Sequence, residues 1–474
     1  MKKTLLKCAS VGWALCCAPA LMAQTQTPLH LPAIFSDGMV LQQQSSVPVW
    51  GWGEASTTVK IVGSWMPEDT VTVQVDDCGR WKTEISTTRY GGPYTLHIFS
   101  DNMPGNRIEL KDVLLGEVWL CSGQSNMEWS PKNGIQNQNN EIASADHPTI
   151  RYFSLNKRGS DYLQEDCIAQ WETCSPDVMR RRSAVAYFFG KRLKEELKVP
   201  VGLIVSAWGG TPAEVWAPRE VVTGTPEIAN AMLDKTYPWW PVAPGVLYNS
   251  MIFPLMPYEI AGAIWYQGES NRENPSSYYV LMQKMIESWR KGFGKEFPFY
   301  LVQIAPFKYG ATDNGPALIR EAQDRVAREV PNTGMVVTVD VGDPGNIHPA
   351  KKVEVGTRLA NLALGRHYKV LEKGYESPLF ERMEIEKGKA IVTFTQTESG
   401  LVCPDKTING VQIAGEDGAF VPAKAEIREN RLVVSSPEVK NPVAVRYCFD
   451  DATIGNLFNG DGMPVAPFRT DVAK

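Results

Sequence analysis

The chain has 474 residues, of which 43% are hydrophobic and 21% charged, a composition that sustains packed cores and excludes extended disorder or a fibrous repeat. At roughly 150 residues per domain this length corresponds to about three domains. The formal net charge is −5, and a mildly acidic chain has no general attraction for nucleic acid or anionic lipid.

Residues 1–23 have the grammar of a secretory leader. Lys2, Lys3 and Lys7 precede a short apolar stretch, Val11 to Ala18, and small residues follow at Ala18, Ala20 and Ala23. The stretch falls well short of the ~20 apolar residues of a spanning helix, so export with removal of the leader is expected, to a periplasm or the exterior, and no integral membrane span. The leader carries three lysines and no acids, so its loss takes the net charge from −5 to −8. Six cysteines remain: Cys78, Cys121, Cys167, Cys174, Cys403 and Cys448. An oxidising compartment permits disulfides, with Cys167–Cys174 the favoured local pair, although the scattered spacing fits six buried thiols equally well. No spacing of His and Cys suggests a metal.

From 24 to 111, short alternating runs punctuated by turns predict a β-sandwich module, among them Val47–Gly53, Thr57–Val62, Thr70–Val75 and Tyr94–Phe99. Its tryptophans, Trp50, Trp52, Trp65 and Trp81, fit core and rim packing better than a sugar-stacking platform. From 112 to 370, buried apolar runs alternate with amphipathic helices. The runs are 117–121, 201–205, 261–266, 299–302 and 335–339; the helices follow Ser183 and bear Tyr278–Trp289 and Leu318–Val326. This is the pattern of a doubly wound α/β domain with a parallel sheet. The Asn/Gln-rich stretch 130–182 is expected as a surface excursion. From 371 to 474, alternating patches around Ala390–Phe394, Arg431–Val434 and Pro442–Tyr447 predict a second β-rich module.

Ligands of an open α/β sheet bind beyond the carboxyl ends of its strands. There the sequence places Ser122-Gly123-Gln124-Ser125-Asn126-Met127, Trp208-Gly209-Gly210-Thr211-Pro212, Gln267-Gly268-Glu269-Ser270-Asn271 and Asp343-Pro344-Gly345-Asn346-Ile347-His348. Acyl transfer needs a nucleophile, a base and donors for an oxyanion. Ser125 is the candidate nucleophile. Among His30, His97, His147, His348 and His367, only His348 sits in a Gly-rich loop after a buried strand, which makes it the candidate base, with His147 a weaker one. Candidate oxyanion donors are the Ser125 N–H, an N–H of Gly209-Gly210 and the Gln267 amide. Met127 stands where an ordinary Gly-x-Ser-x-Gly elbow has its last glycine, which argues against the commonest serine-esterase fold.

These blocks, in this order, resemble the sialate O-acetylesterases, a branch of the SGNH-type hydrolases; Phe35–Gln42 and Ala414–Gly418 extend the resemblance over nearly the whole mature chain. The resemblance implies a flavodoxin-like, SGNH-type sheet of five mostly parallel strands. It also implies a cofactor- and metal-independent serine esterase that takes acetyl groups from O-acetylated sialic acids or similar sugars. Ser125 is then the nucleophile and His348 the base, with Gly210 and Gln267 completing the oxyanion hole and Asn126, Trp208 and Asn271 facing substrate. The wider group has an aspartate three residues before its histidine, and here that position is Gly345. The acid orienting His348 is expected to be Glu269, on the same side of an extended segment as Gln267, with Asp343, Asp340 and a backbone carbonyl as rivals. Two other readings stand beside this one: an acetylesterase of plant polysaccharide, and a carbohydrate-binding protein without catalysis.

Overall fold

The computed structural model describes residues 28–100, 106–310 and 314–471, so the leader expected at 1–23 lies outside the described residues. Thirteen strands lead to and through the catalytic sheet. They are β1 (Val40–Gln42), β2 (Ser46–Trp52), β3 (Thr58–Gly63), β4 (Val71–Gln74), β5 (Arg80–Ser86), β6 (Gly91–Ser100), β7 (Arg107–Gly123), β8 (His147–Ser154), β9 (Trp171–Cys174), β10 (Val201–Ala207), β11 (Gly262–Tyr266), β12 (Phe299–Val302) and β13 (Thr333–Val336). The central sheet has the order β13-β12-β11-β7-β10-β8-β9. All of its pairings are parallel except β8 with β9. The chain leaves β7 for one side of the sheet and returns through β11 to the other, which makes the carboxyl end of β7 a topological switch point.

Alternation along the strands explains the two cores. Trp119 and Cys121 of β7, with Leu203 and Ile264, join the core under the helices Ala184–Leu197 and Lys352–Arg366. Val118 and Leu120, with Trp265 and Leu301, join the opposite core under Tyr278–Phe293 and Gly315–Glu329. Ser183 caps its helix as expected, its Oγ accepting from Ala186 N at 3.1 Å.

The stretch 130–182 departs from expectation. It contributes β8 and β9 to the sheet, so six parallel strands are present where five were expected. The polar start of β8, His147-Pro148-Thr149, hides a run from Ile150 to Ser154 that is wholly buried. Among the described residues the six cysteines are free thiols, and only Cys121, Cys174 and Cys448 are buried, with Cys78 exposed, so neither the disulfide nor six buried thiols is found. Cys167 packs against one core and Cys174 lies in the other, so the favoured pair does not form.

In the N-terminal region, β3, β4 and β6 form an antiparallel sheet and β2 pairs with β5. β7 is one strand of 17 residues with a kink at Asp112, where φ is +55° and the pairing with β6 shifts register: its first half pairs with β6 and its second with β10 and β11. The C-terminal region is antiparallel, with one sheet of Phe380–Glu386, Lys389–Phe394, Arg431–Ser435 and Lys424–Arg428. It docks on the helix Gly315–Glu329, where the buried Arg320 donates to the backbone carbonyls of Cys448 and Asp450 and Arg469 pairs with Glu321 at 2.8 Å.

Candidate active site

Ser125 opens a one-turn helix, Ser125–Glu128, directly beyond β7. The turn depends on Gly123, which has φ +137° and would place a Cβ 2.2 Å from the Tyr266 carbonyl oxygen; no other residue fits there. Gln124 staples this turn to the end of β11. Its N–H donates to Tyr266 O at 2.9 Å and its Oε1 accepts from the N–H groups of Gly268 and Ser270. On the other side, Trp208 N donates to Gly123 O, and Gly209 N donates to Glu128 Oε2 at 2.8 Å. Gly209 lies so close that a Cβ on it would come within 3.1 Å of Ser125 Cβ.

His348 Nε2 stands 2.9 Å from Ser125 Oγ, although the two residues are 223 positions apart. The imidazole is held flat against Trp129, with ring centroids 4.0 Å apart and planes 15° from parallel. Burial, and then the charge of Lys352, lowers the His348 pKa to about 4. The ring is therefore neutral at neutral pH and able to accept the hydroxyl proton. His147 lies elsewhere, at the start of β8, with its ring against Tyr187 OH at 3.2 Å and Lys194.

The acid member differs from expectation. Glu269 is buried, but its Oε1 accepts from Asn126 Nδ2 at 2.6 Å rather than from the imidazole. Gly268 is the reason: with φ +153° it turns the chain into the short 3₁₀ helix Glu269–Asn271, so Glu269 does not continue on the extended side it would share with Gln267. Asp343 is exposed and accepts from Gly345 N, and Asp340 forms a two-pronged pair with Arg358. Among the described residues, no carboxylate lies within ion-pair distance of His348.

A buried charge pair bridged by an amide takes that place in the fold. Lys352 Nζ donates to Asn126 Oδ1 at 2.5 Å, while Asn126 Nδ2 donates to Glu269 Oε1 and to the carbonyl of Ile347, the residue before His348. Lys352 is fully buried; desolvation lowers its pKa to about 7 against the opposing pull of Glu269. The Glu269 carboxyl is itself raised by burial. Asn126, the residue after Ser125, is thus a buried strut to the residue before His348, where a substrate contact was expected. Lys352 was missed from the sequence, yet it shares the buried helix face of Val355, Leu359 and Leu362, where a cation demands an explanation.

The Gln267 amide is also committed elsewhere than expected. It donates to Asn271 Oδ1 at 2.7 Å and Thr211 O at 3.3 Å, and its Oε1 accepts from Tyr278 OH. Asn271 in turn donates to Glu214 Oε2 and accepts from Ala213 N. Both side chains are fully buried and brace the two loops instead of facing substrate. Two N–H groups fit the oxyanion role better: among the described residues, neither Ser125 N nor Gly210 N donates to another group. Gly210, at φ +81°, lies under the ring of Trp240. It begins a pocket walled by Tyr237, Trp240, Lys235, Arg272 and Glu273, with Tyr237 and Trp240 stacked at 4.8 Å. Trp208 is half-buried at the mouth of the turn.

A neutral imidazole on a serine hydroxyl at the switch point of a doubly wound sheet defines a carboxylic ester hydrolase of the α/β class. Residues 115–365 match the carbohydrate esterases described as sialic acid-specific acetylesterase, and the chain belongs to that family. It is 31% identical over 395 residues to the sialate O-acetylesterases of Homo sapiens and of Pongo abelii, covering 76% of this chain and 75% of each relative. The Mus musculus sialate O-acetylesterase is 29% identical over 418 residues, covering 75% of this chain and 77% of that one. A crystal structure of a carbohydrate acetylesterase from Xanthomonas citri superimposes with a TM-score of 0.85 at 35% identity, covering 94% of this chain and all of that one.

Proposed function

We propose that the chain removes O-acetyl groups from sialic acids or closely related sugars through an acetyl-enzyme on Ser125. The observation that carries this reading is the 2.9 Å contact of Ser125 Oγ with a neutral, stacked His348. Oγ attacks the acetyl carbonyl as Nε2 takes its proton, and the carbonyl electrons move to oxygen beside the Ser125 and Gly210 N–H groups. The ester C–O bond then breaks, and imidazolium returns the proton to the leaving sugar hydroxyl. Water repeats the sequence, releasing acetate and freeing Ser125. The pocket beyond Gly210 holds the sugar: indole and phenol faces suit its C–H surfaces, and Lys235 and Arg272 as donors with Glu273 as acceptor suit its polar groups. Export by the leader 1–23 gives the enzyme access to such glycans outside the cytoplasm.

The test is acetate release measured in parallel on O-acetylated sialic acid and acetylated xylan, with mass spectrometry of a rapidly quenched sample. Faster turnover of the sialate, and an acetyl group on the peptide containing Ser125, are expected. Exclusive turnover of xylan would overturn the substrate, and full activity in folded Ser125→Ala would overturn the nucleophile.

A further inference from the structure

The seam between the β2–β5 ribbon and the catalytic domain contains a groove that the esterase chemistry does not use. In the antiparallel register, Trp50 lies opposite Lys82 and Trp52 opposite Arg80, while Gly51 lies opposite Trp81. Opposed residues share a face, so Val47, Val49 and Trp81 fill the module core and both other indoles stand on the outer face with two cations between and beside them. Neither indole is fully buried. Trp52 is held flat by His30, at 4.8 Å and 14°, and Trp50 is fixed edge-on by Phe35, at 4.7 Å and 80°. The rings are thus braced before any ligand arrives.

Facing them are Phe253, Met256 and Pro257, which precede β11, and Glu165, which pairs with Arg80 across the seam at 2.5 Å. The groove encloses about 440 Å³, within the range of small-ligand sites. It lies at the amino edge of the central sheet, since its far wall leads into β11, whereas Ser125 lies beyond the carboxyl ends of β7 and β11. The five residues of β11 alone separate the edges by about 17 Å. No single sugar residue reaches both.

The geometry points to a second carbohydrate-binding site here, for a neutral pyranose chain stacked on Trp50 and Trp52. Two braced indole faces offer surfaces for sugar C–H groups, and the rim offers both kinds of hydroxyl partner: Gln74, Arg80 and Lys82 as donors, Asp76 and Glu165 as acceptors. The rim charges are two of each sign and cancel, which favours a neutral glycan over an acidic sugar, an anionic lipid or a nucleic acid. The site would hold an unacetylated stretch of glycan, or a separate strand, while acetyl transfer proceeds at the opposite edge.

The probes are xylohexaose, cellohexaose and a tri-N-acetyllactosamine, none carrying an ester, titrated into the full chain by calorimetry and tryptophan fluorescence. Saturable binding of at least one is expected, weakened about tenfold or more by Trp52→Ala or Trp50→Ala, the worth of one stacked ring. Hydrolysis of a small aryl acetate should be unchanged in those variants and uninhibited by the bound oligosaccharide. Should an indole variant fail to fold, Arg80→Ala with Lys82→Ala, both at exposed positions, must still weaken binding. Absence of saturable binding at about 10 mM of all three probes overturns the proposal, as that is weaker than any useful site. So does binding that survives these substitutions, or that competes with the aryl acetate. Concentration-dependent self-association abolished by Trp50→Ala, with no sugar bound, would assign the groove to a second copy instead. None of these results bears on Ser125, whose role is read from turnover.

Discussion

On the proposed mechanism, protonation of His348 sets where activity ends on the acid side, and the burial of the ring says where that limit should fall. The base must be neutral to take the Ser125 proton. With its pKa lowered to about 4, chiefly by burial and secondarily by Lys352, His348 is about 90% neutral at pH 5; an ordinary imidazole at 6.5 would be about 3% neutral. The two cases differ about thirtyfold in kcat/KM at pH 5 relative to the plateau. The assay is kcat/KM for a small aryl acetate from pH 3.5 to 8, because this parameter reports the free enzyme. A flat profile from 7 to 5 and a fall centred near 4 are expected; a limb at 6 to 7 would refute the reasoning. The sign for stability is the same. The unfolded chain binds the His348 proton below about 6.5 while the native chain refuses it until about 4, so stability falls as pH drops through that window, and circular dichroism must confirm folded protein at each point. Lys352→Met removes the lesser cause and leaves the burial, so the limb should move up yet remain below 6.5.

Glu269→Gln keeps an oxygen for Asn126 Nδ2 and removes only the charge opposite Lys352, so turnover should fall about tenfold or less, against the roughly ten-thousandfold loss when a carboxylate that orients a catalytic histidine is replaced by its amide. Steady-state kcat decides between them. Gln267→Ala leaves Thr211 O without its side-chain donor and takes one of two partners from Tyr278 OH and from Asn271 Oδ1, which keep the Gln267 carbonyl and the Ala213 N–H, and should appear as a stability loss of about 1–3 kcal/mol in urea unfolding; a kcat loss with unchanged stability would restore the Gln267 amide as an oxyanion donor. Gly123→Ala drives a Cβ into the Tyr266 carbonyl and should cost about 3 kcal/mol or more together with most of the activity; a stable, active variant would show that the turn has another way to form.

The meeting of Ser125 with His348 was legible because each lies beyond a buried strand with a glycine two or three residues before it, features local in the sequence. The strands of the parallel sheet were legible for the same reason, since Val201–Ala207 and Gly262–Tyr266 are buried along their whole length. β8 was not, because Asn and Gln before it and a proline within it mask a strand that gains its burial from β10. The direction of Glu269 turns on the φ of a single glycine, which residue type permits but does not specify. The Gln267 amide is spent on Thr211 and Asn271, and the first of these is 56 positions away. Which face of an amide is free is a property of partners that only the fold brings near.

Because β7 carries the backbone from Arg107, through a kink at Asp112, to the turn that holds Ser125, the amino-terminal module is built into the same strand as the site. Proteolysis or gene truncation near position 111 would part the segment paired with β6 from the segment, paired with β10 and β11, that leads to Ser125. Any partner that grips the module therefore pulls on the same strand, and unfolding of the two parts should be felt as one event.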